Sequence, residues 1–121
     1  MIDFIRADHI HICVPQERLE EAKAFYTGVL GLQLIDRPNH LFSSAGYWLN
    51  IGNIQLHIGV EPFLGRSIRH TAFEVADIAA ARTHLQKNNI EIVPEPAIPG
   101  RTRFAFIDPF GNRMELLQII N

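Results

Sequence analysis

Residues 7–14 alternate in character, with His9, His11 and Cys13 falling on one side of an extended segment and Ile10, Ile12 and Val14 on the other. The pattern predicts a strand with one polar and one apolar face. Pro15-Gln16 interrupts it, and from Glu17 onward Leu19, Ala22, Tyr26, Val29 and Leu30 recur at helical spacing until Gly28 and Gly31 close the helix. Residues 32–37, 41–44, 47–51 and 54–60 then predict extended segments, broken at Pro38-Asn39, Ala45-Gly46 and Gly52-Asn53, the last a plausible hairpin turn.

The same order of elements restarts at Arg69. His70, Ala72 and Glu74 share one face of a short extended run, and Thr71, Phe73 and Val75 share the other. Asp77 is a good N-cap for a helix carrying Ile78, Ala81 and Leu85 and ending near Asn88-Asn89. Residues 90–93, 103–107 and 113–119 predict strands, separated by the proline-rich stretch 94–100 and the turn Asp108-Pro109-Phe110-Gly111-Asn112. Each half therefore reads as a βαβββ unit of about sixty residues, and the chain as one α+β domain of two tandem modules, about 1–61 and about 68–121, joined through 62–67. Superposing the halves sets DHIHICV on RHTAFEV, matching His9 to His70, and NIQLHIG on NRMELLQ, matching His57 to Glu115. Gly52 precedes His57 by five residues and Gly111 precedes Glu115 by four, so one turn absorbs an extra residue.

Composition narrows the function without choosing it. At 121 residues, 47% hydrophobic and 20% charged, the chain is long enough for one ordinary core and needs no disulfides. Its single cysteine, Cys13, cannot form an internal disulfide, and the start MIDFIRAD lacks a signal-type apolar stretch, so a reduced, cytoplasmic setting is the expectation. A net charge of −2 with no Lys/Arg block argues against nucleic acid and anionic membrane surfaces as partners. No apolar run approaches the ~20 residues of a membrane-spanning helix.

The chemistry sits on the strands. His9, His57, His70 and Glu115 each lie on an alternating run, and three imidazoles with one carboxylate form a ligand set suited to a divalent metal ion, one pair per half. His11, two residues beyond His9 and about 7 Å further along the same face, is a candidate general acid/base, a group that orients a metal ligand, or a pocket-lining residue. Gln55 stands in the same relation to His57 and is a candidate polar contact to substrate. Trp48, Phe42, Tyr47 and Phe104 are candidates for an apolar pocket wall, with the core as their competing place. Arg101 and Arg103 flank the proline-rich loop and are candidates to clamp an anionic group, with plain surface charge as the alternative. Glu74 reads as a surface ion-pair partner, His40 and His84 as solvated, and Cys13 as a packed thiol.

DHIHICV, FYTGVLGLQL, YWLNIGNIQLHIGV, RHTAFEVADI and RFAFIDPFGNRMELLQ together resemble the glyoxalase, bleomycin-resistance and dioxygenase group, the vicinal oxygen chelate superfamily, over essentially the whole chain. The resemblance implies paired βαβββ modules forming a curved mixed sheet around a cleft, with metal ligands at His9, His57, His70 and Glu115, and a homodimer. It also implies a small-molecule substrate with vicinal oxygens, and a divalent ion (Zn, Ni, Mn, Co or Fe) acting as a Lewis acid. Members of the group run different reactions, and departures from their patterns rank them. His57 crowds the open position of a two-histidine, one-carboxylate iron triad, and stands where glyoxalase I has a second carboxylate. His11 stands where fosfomycin thiol transferases carry threonine. The best match is glyoxalase-like lyase or isomerase chemistry through a stabilised enolate or oxyanion, with proton transfer by Glu115 or His11 and substrate contacts from Gln55, Trp48, Arg103 and Phe104. The alternatives are a small-molecule binding or resistance protein, without metal or with a structural one, and an iron-dependent ring-cleaving dioxygenase.

Overall fold

The computed structural model describes residues 1–121, which divide into two compact units, Met1–Phe63 and Leu64–Asn121. Each unit is a four-stranded mixed sheet with a helix against one face. In the first, β1 (His9–Val14) runs parallel to β4 (Ile54–Val60), and β3 (Tyr47–Ile51) and β2 (Gln33–Ile35) extend the sheet antiparallel in the order β1-β4-β3-β2. In the second, β5 (His70–Glu74) runs parallel to β8 (Arg113–Ile119), with β7 (Arg101–Ile107) and β6 (Glu91–Pro94) completing the order β5-β8-β7-β6. Both βαβββ modules expected from the alternation are therefore present, with the same strand order.

Helix α1 (Leu19–Ala24) is one part of a longer helical stretch, opened by a 3₁₀ turn at Gln16–Arg18 and widened into a π turn over Phe25–Val29. Gly28 lies inside that stretch rather than ending it. The stop is Gly31, whose φ of 72° only glycine adopts without strain, and the Leu32 N–H closes the turn on the Tyr26 carbonyl at 2.9 Å. Helix α2 (Ile78–Lys87) begins as expected, Asp77 accepting the Ala80 N–H at 3.0 Å.

The expected strand at 41–44 is absent. Pro38 leads into a 3₁₀ turn at Asn39–Leu41, and the Arg37 guanidinium bonds Asn39 Oδ1 at 2.6 Å and the Ser44 carbonyl at 3.1 Å, fastening the segment as a loop. Strand β7 starts two residues earlier than the alternation suggested, at Arg101. The turn between β7 and β8 is held by Asp108 Oδ1, which accepts the Phe110 N–H at 2.9 Å and the Asn112 N–H at 2.8 Å.

The two faces of each sheet have separate tasks. In the first unit Leu49, Leu56, Ile58 and Val14 point to the helix side, where Leu19, Ala22, Phe25 and Tyr26 are buried with them. In the second, Phe104, Phe106 and Met114 form the buried side beneath α2, whose Arg82 guanidinium lies 5.4 Å from the Phe104 ring centre. Full burial of each such aromatic or branched side chain contributes roughly 1.5–3 kcal/mol. The opposite faces carry the histidines.

Candidate metal centre

In the first unit the polar face of β1, β4 and β3 holds a row of rings. His57 is stacked between the Trp48 indole, at 4.2 Å and 5° between planes, and the His9 imidazole, at 4.0 Å and 15°. Phe42 extends the row with its ring centre 6.1 Å from Trp48. Both faces of the His57 ring are thereby covered, leaving it 8% exposed. Burial, then the neighbouring charges of His9 and His11, push its pKa down to about 4, against the opposite pull of Asp8. His57 is thus a neutral imidazole at neutral pH. Its Nε2 lies 2.9 Å from Gln55 Oε1.

His9 is fixed from the other side. Its Nδ1 meets Asp8 Oδ2 at 2.9 Å, an arrangement in which Nδ1–H donates to the carboxylate and Nε2 presents its lone pair. His11 lies directly across from His57 in the β1/β4 register, and Gly59 makes room for its ring. A Cβ at position 59 would sit 2.6 Å from His11 Cε1 and 2.7 Å from Nε2. The His11 Nδ1 is 3.7 Å from the Cys13 sulfur, and burial, with the charge of Glu61, keeps that thiol's pKa raised.

In the second unit His70 Nδ1 lies 2.9 Å from the Ile68 carbonyl, so this ring too donates from Nδ1 and turns Nε2 outward, 3.4 Å from Glu115 Oε1. Glu115 is buried at 7% exposure, and Arg103 Nη1 stands 3.4 Å from the same oxygen. Arg103 Nη1 is also 3.4 Å from Glu95 Oε2, and Glu95 makes a close ion pair with Arg113. The hydrogen bond from Arg113, then its charge and those of Arg103 and His70, hold the Glu95 carboxyl below the usual carboxylate range despite the opposing effect of burial. Arg103 Nε is buried with no hydrogen-bond partner.

The strand registers relate the two pairs. His9 faces Gln55 across β1/β4, and the candidate ligand on β4 is two residues further on; His70 faces Arg113 across β5/β8, and Glu115 is likewise two further on. The pairs His9/His57 and His70/Glu115 therefore occupy the same diagonal of the same parallel strand pair, one in each unit. Within neither unit do three or more His, Cys, Asp or Glu side chains gather as a metal-holding group.

The other sequence candidates divide by face. Gln55 and Trp48 lie on the histidine face of the first sheet, and Arg103 on the Glu115 face of the second. Phe104 does not: next to Arg103 in the strand, it points the opposite way and is 2% exposed in the core under α2, which removes it as a pocket wall. Tyr47 likewise lies on the helix side, its hydroxyl bonded to Glu20. Asp8, Gly59, Glu95 and Arg113 escaped the sequence reading. Asp8 was signalled by its position beside His9, whereas the partners of Glu95 arise only once β6, β7 and β8 are side by side.

Each unit by itself carries donors of the kind a divalent ion takes: in the first, His9 has Nδ1 tied to an acceptor and His57 is neutral, and in the second, His70 has Nδ1 tied to an acceptor and Glu115 supplies an oxygen. Such mixed nitrogen and oxygen donors suit zinc, nickel, cobalt, manganese or iron better than calcium or magnesium.

Comparison with known proteins matches residues 6–116 to the family model of the Glyoxalase/Bleomycin resistance protein/Dioxygenase superfamily. A lactoylglutathione lyase of Salmonella typhimurium is 30% identical over 122 aligned positions, covering 90% of each chain. Among solved structures, a glyoxalase family protein from Bacillus anthracis is 37% identical with a TM-score of 0.88, over 99% of this chain and 100% of that one. The fosfomycin resistance protein FosX from Listeria monocytogenes shares the fold, with a TM-score of 0.77 at 19% identity over 99% of this chain and 96% of that one.

Proposed function

The chain belongs to the Glyoxalase/Bleomycin resistance protein/Dioxygenase superfamily, and on that footing we propose that it is a divalent-metal-dependent lyase or isomerase acting on a small substrate with vicinal oxygens. The observation that carries the reading is the matched diagonal of ligand pairs, in which a histidine of each unit is pinned through Nδ1 and offers Nε2. His9, His57, His70 and Glu115 are the proposed ligands. When bound, the ion supplies Lewis acidity to the substrate's adjacent oxygens and so acidifies the neighbouring C–H.

The proton is the task of the chain's own residues. Glu115 Oε1 already faces His70 and Arg103, whereas the His11 ring is exposed and its Nε2 carries no hydrogen bond to protein, so His11 is the better placed acid/base. Gln55 and Trp48 line the histidine face of the first sheet and Arg103 the Glu115 face of the second, and these three are the proposed substrate contacts.

The protein is further proposed to work as a homodimer. Ile2, Phe4, Ile5, Leu64 and Ile68 are large apolar side chains left exposed, and a second copy of the chain is the proposed cover for them. No helix is long and apolar enough to cross a membrane, and the proposed setting is the cytoplasm.

The test is metal analysis of protein purified without a metal-charged column, followed by turnover of lactoylglutathione, the substrate named for the Salmonella relative, after reconstitution with Zn²⁺, Ni²⁺, Co²⁺, Mn²⁺ or Fe²⁺. A redox-inert ion with turnover supports the proposal. Bound iron with oxygen consumption would point to dioxygenase chemistry, and failure to bind any metal to a binding protein.

A further inference from the structure

Glu95 stands outside the ligand set, yet its geometry bears on it. Arg103 Nη1 is equidistant, at 3.4 Å, from Glu95 Oε2 and Glu115 Oε1. Both separations exceed the 2.7–2.9 Å or so that a guanidinium reaches when it settles on one carboxylate. The guanidinium is shared, and Nε is left without a partner. Glu115 is buried, and Arg103, Glu95 and Arg113 are half-buried, with side chains 14%, 13% and 19% exposed.

The chain also restrains Glu95 itself. It lies between Pro94 and Pro96. Proline fixes φ at its own position and confines the residue before it to extended conformations, so the backbone carrying this carboxylate has little freedom. Arg113 then fastens one oxygen and leaves the other facing Arg103.

We propose that Glu95 is a positioning residue that holds the Arg103 guanidinium back from Glu115. Without that counter-pull, Arg103 closes on Glu115 as a two-bond pair and occupies the lone pairs that Glu115 would offer to a metal ion. The inference rests on the metal reading above. It differs from a general charge effect in one respect: loss of Glu95 matters only while Arg103 is present.

The experiment is Zn²⁺ titration of metal-stripped protein against a chromophoric chelator, in the wild type, Glu95→Gln, Arg103→Gln and the double variant. Outer partners of metal ligands typically contribute about 10–100-fold in affinity, so E95Q should bind Zn²⁺ at least about tenfold more weakly than wild type. In the R103Q background the same change should cost less than about twofold. Glu91→Gln breaks an exposed ion pair with Arg66 in the same unit, removes the same charge, and should leave affinity unchanged. Arg113→Gln, which frees Glu95 to close on Arg103 and so strengthens the counter-pull, gives a second variant if E95Q is too unstable to titrate, and it should bind Zn²⁺ at least as tightly as the wild type. Equal losses from E95Q in both backgrounds, no loss in E95Q, or weaker binding in R113Q would overturn the role of Glu95 while leaving the metal reading intact. A wild-type protein that takes up no Zn²⁺ would overturn both.

Discussion

The ring stack around His57 makes a quantitative prediction about acid stability. The imidazole is sandwiched between Trp48 and His9, with His11 across the register, Gln55 on its Nε2 and Asp8 and Arg37 near enough to act by charge. Its pKa is about 4 in the fold against an ordinary 6.5. A depressed histidine pKa means that the unfolded chain takes the proton first. The stabilising effect is therefore complete above pH 6.5, declines as pH falls from there towards 4, and changes no further below. Between about pH 7 and about pH 4.5 that proton costs between about 2 and 3 kcal/mol of stability. Urea unfolding at the two pH values, followed by fluorescence, reads it directly. Trp48 is the only tryptophan and lies on His57, so the signal reports this unit. Carboxylates also lose stabilising contacts in acid, so the comparison is with His57→Phe, which keeps a ring in the stack but takes up no proton. With a chelator present to exclude metal, the wild type should lose between about 2 and 3 kcal/mol more than H57F over this range, a midpoint difference of roughly 1 M urea. Identical pH dependence in the two proteins would refute the argument that burial and stacking hold His57 neutral.

Three other outcomes follow from the geometry. Gly59→Ala places a methyl within 2.6 Å of the His11 ring; because that ring is exposed it swings away, so stability should change by less than about 1 kcal/mol while turnover falls by roughly 10²–10⁴-fold and metal content stays intact. Unchanged turnover of lactoylglutathione would remove His11 as the acid/base. His70→Ala and Glu115→Ala should each strip most of the metal found by elemental analysis, whereas His84→Ala, on α2, should retain it; equal retention in all three would remove the ligand assignment. Sedimentation at low micromolar concentration should give twice the 13.7 kDa chain mass, through an interface of upward of ~2,000 Å² if the exposed apolar residues pair; a monomer would dismiss the dimer while leaving the metal claim in place.

How much of this was legible in the sequence depends on whether the deciding contact is local. Alternation located β4 and β8 at their observed bounds, because a strand with one apolar face announces itself every second residue. Asp77 announced α2 because an N-cap acts within one turn. The expected strand at 41–44 failed where a side chain four residues or more away took over: the Arg37 guanidinium binds the Ser44 carbonyl and makes a loop of a stretch whose residues tolerate either state.

The candidate site shows the same division with more consequence. That His9 and His70 belong to equivalent positions was visible as a repeat, and the shared diagonal in the two registers supplies the geometric reason for it. Arg103 and Phe104 were both read as substrate contacts, yet neighbours in a strand face opposite ways, so alternation alone required choosing between them. Arg103 falls on the Glu115 face, whereas Phe104 continues the apolar series of Phe106 that α2 covers. Glu95 lies beyond this kind of reasoning, because its partners Arg103 and Arg113 are eight and eighteen positions away and meet it only through sheet order. What the sequence did hold was the pair of flanking prolines. A charged side chain on a backbone with so little freedom, half-buried beside two arginines, has its position set before any ligand arrives, and that is the property its part in restraining Arg103 requires.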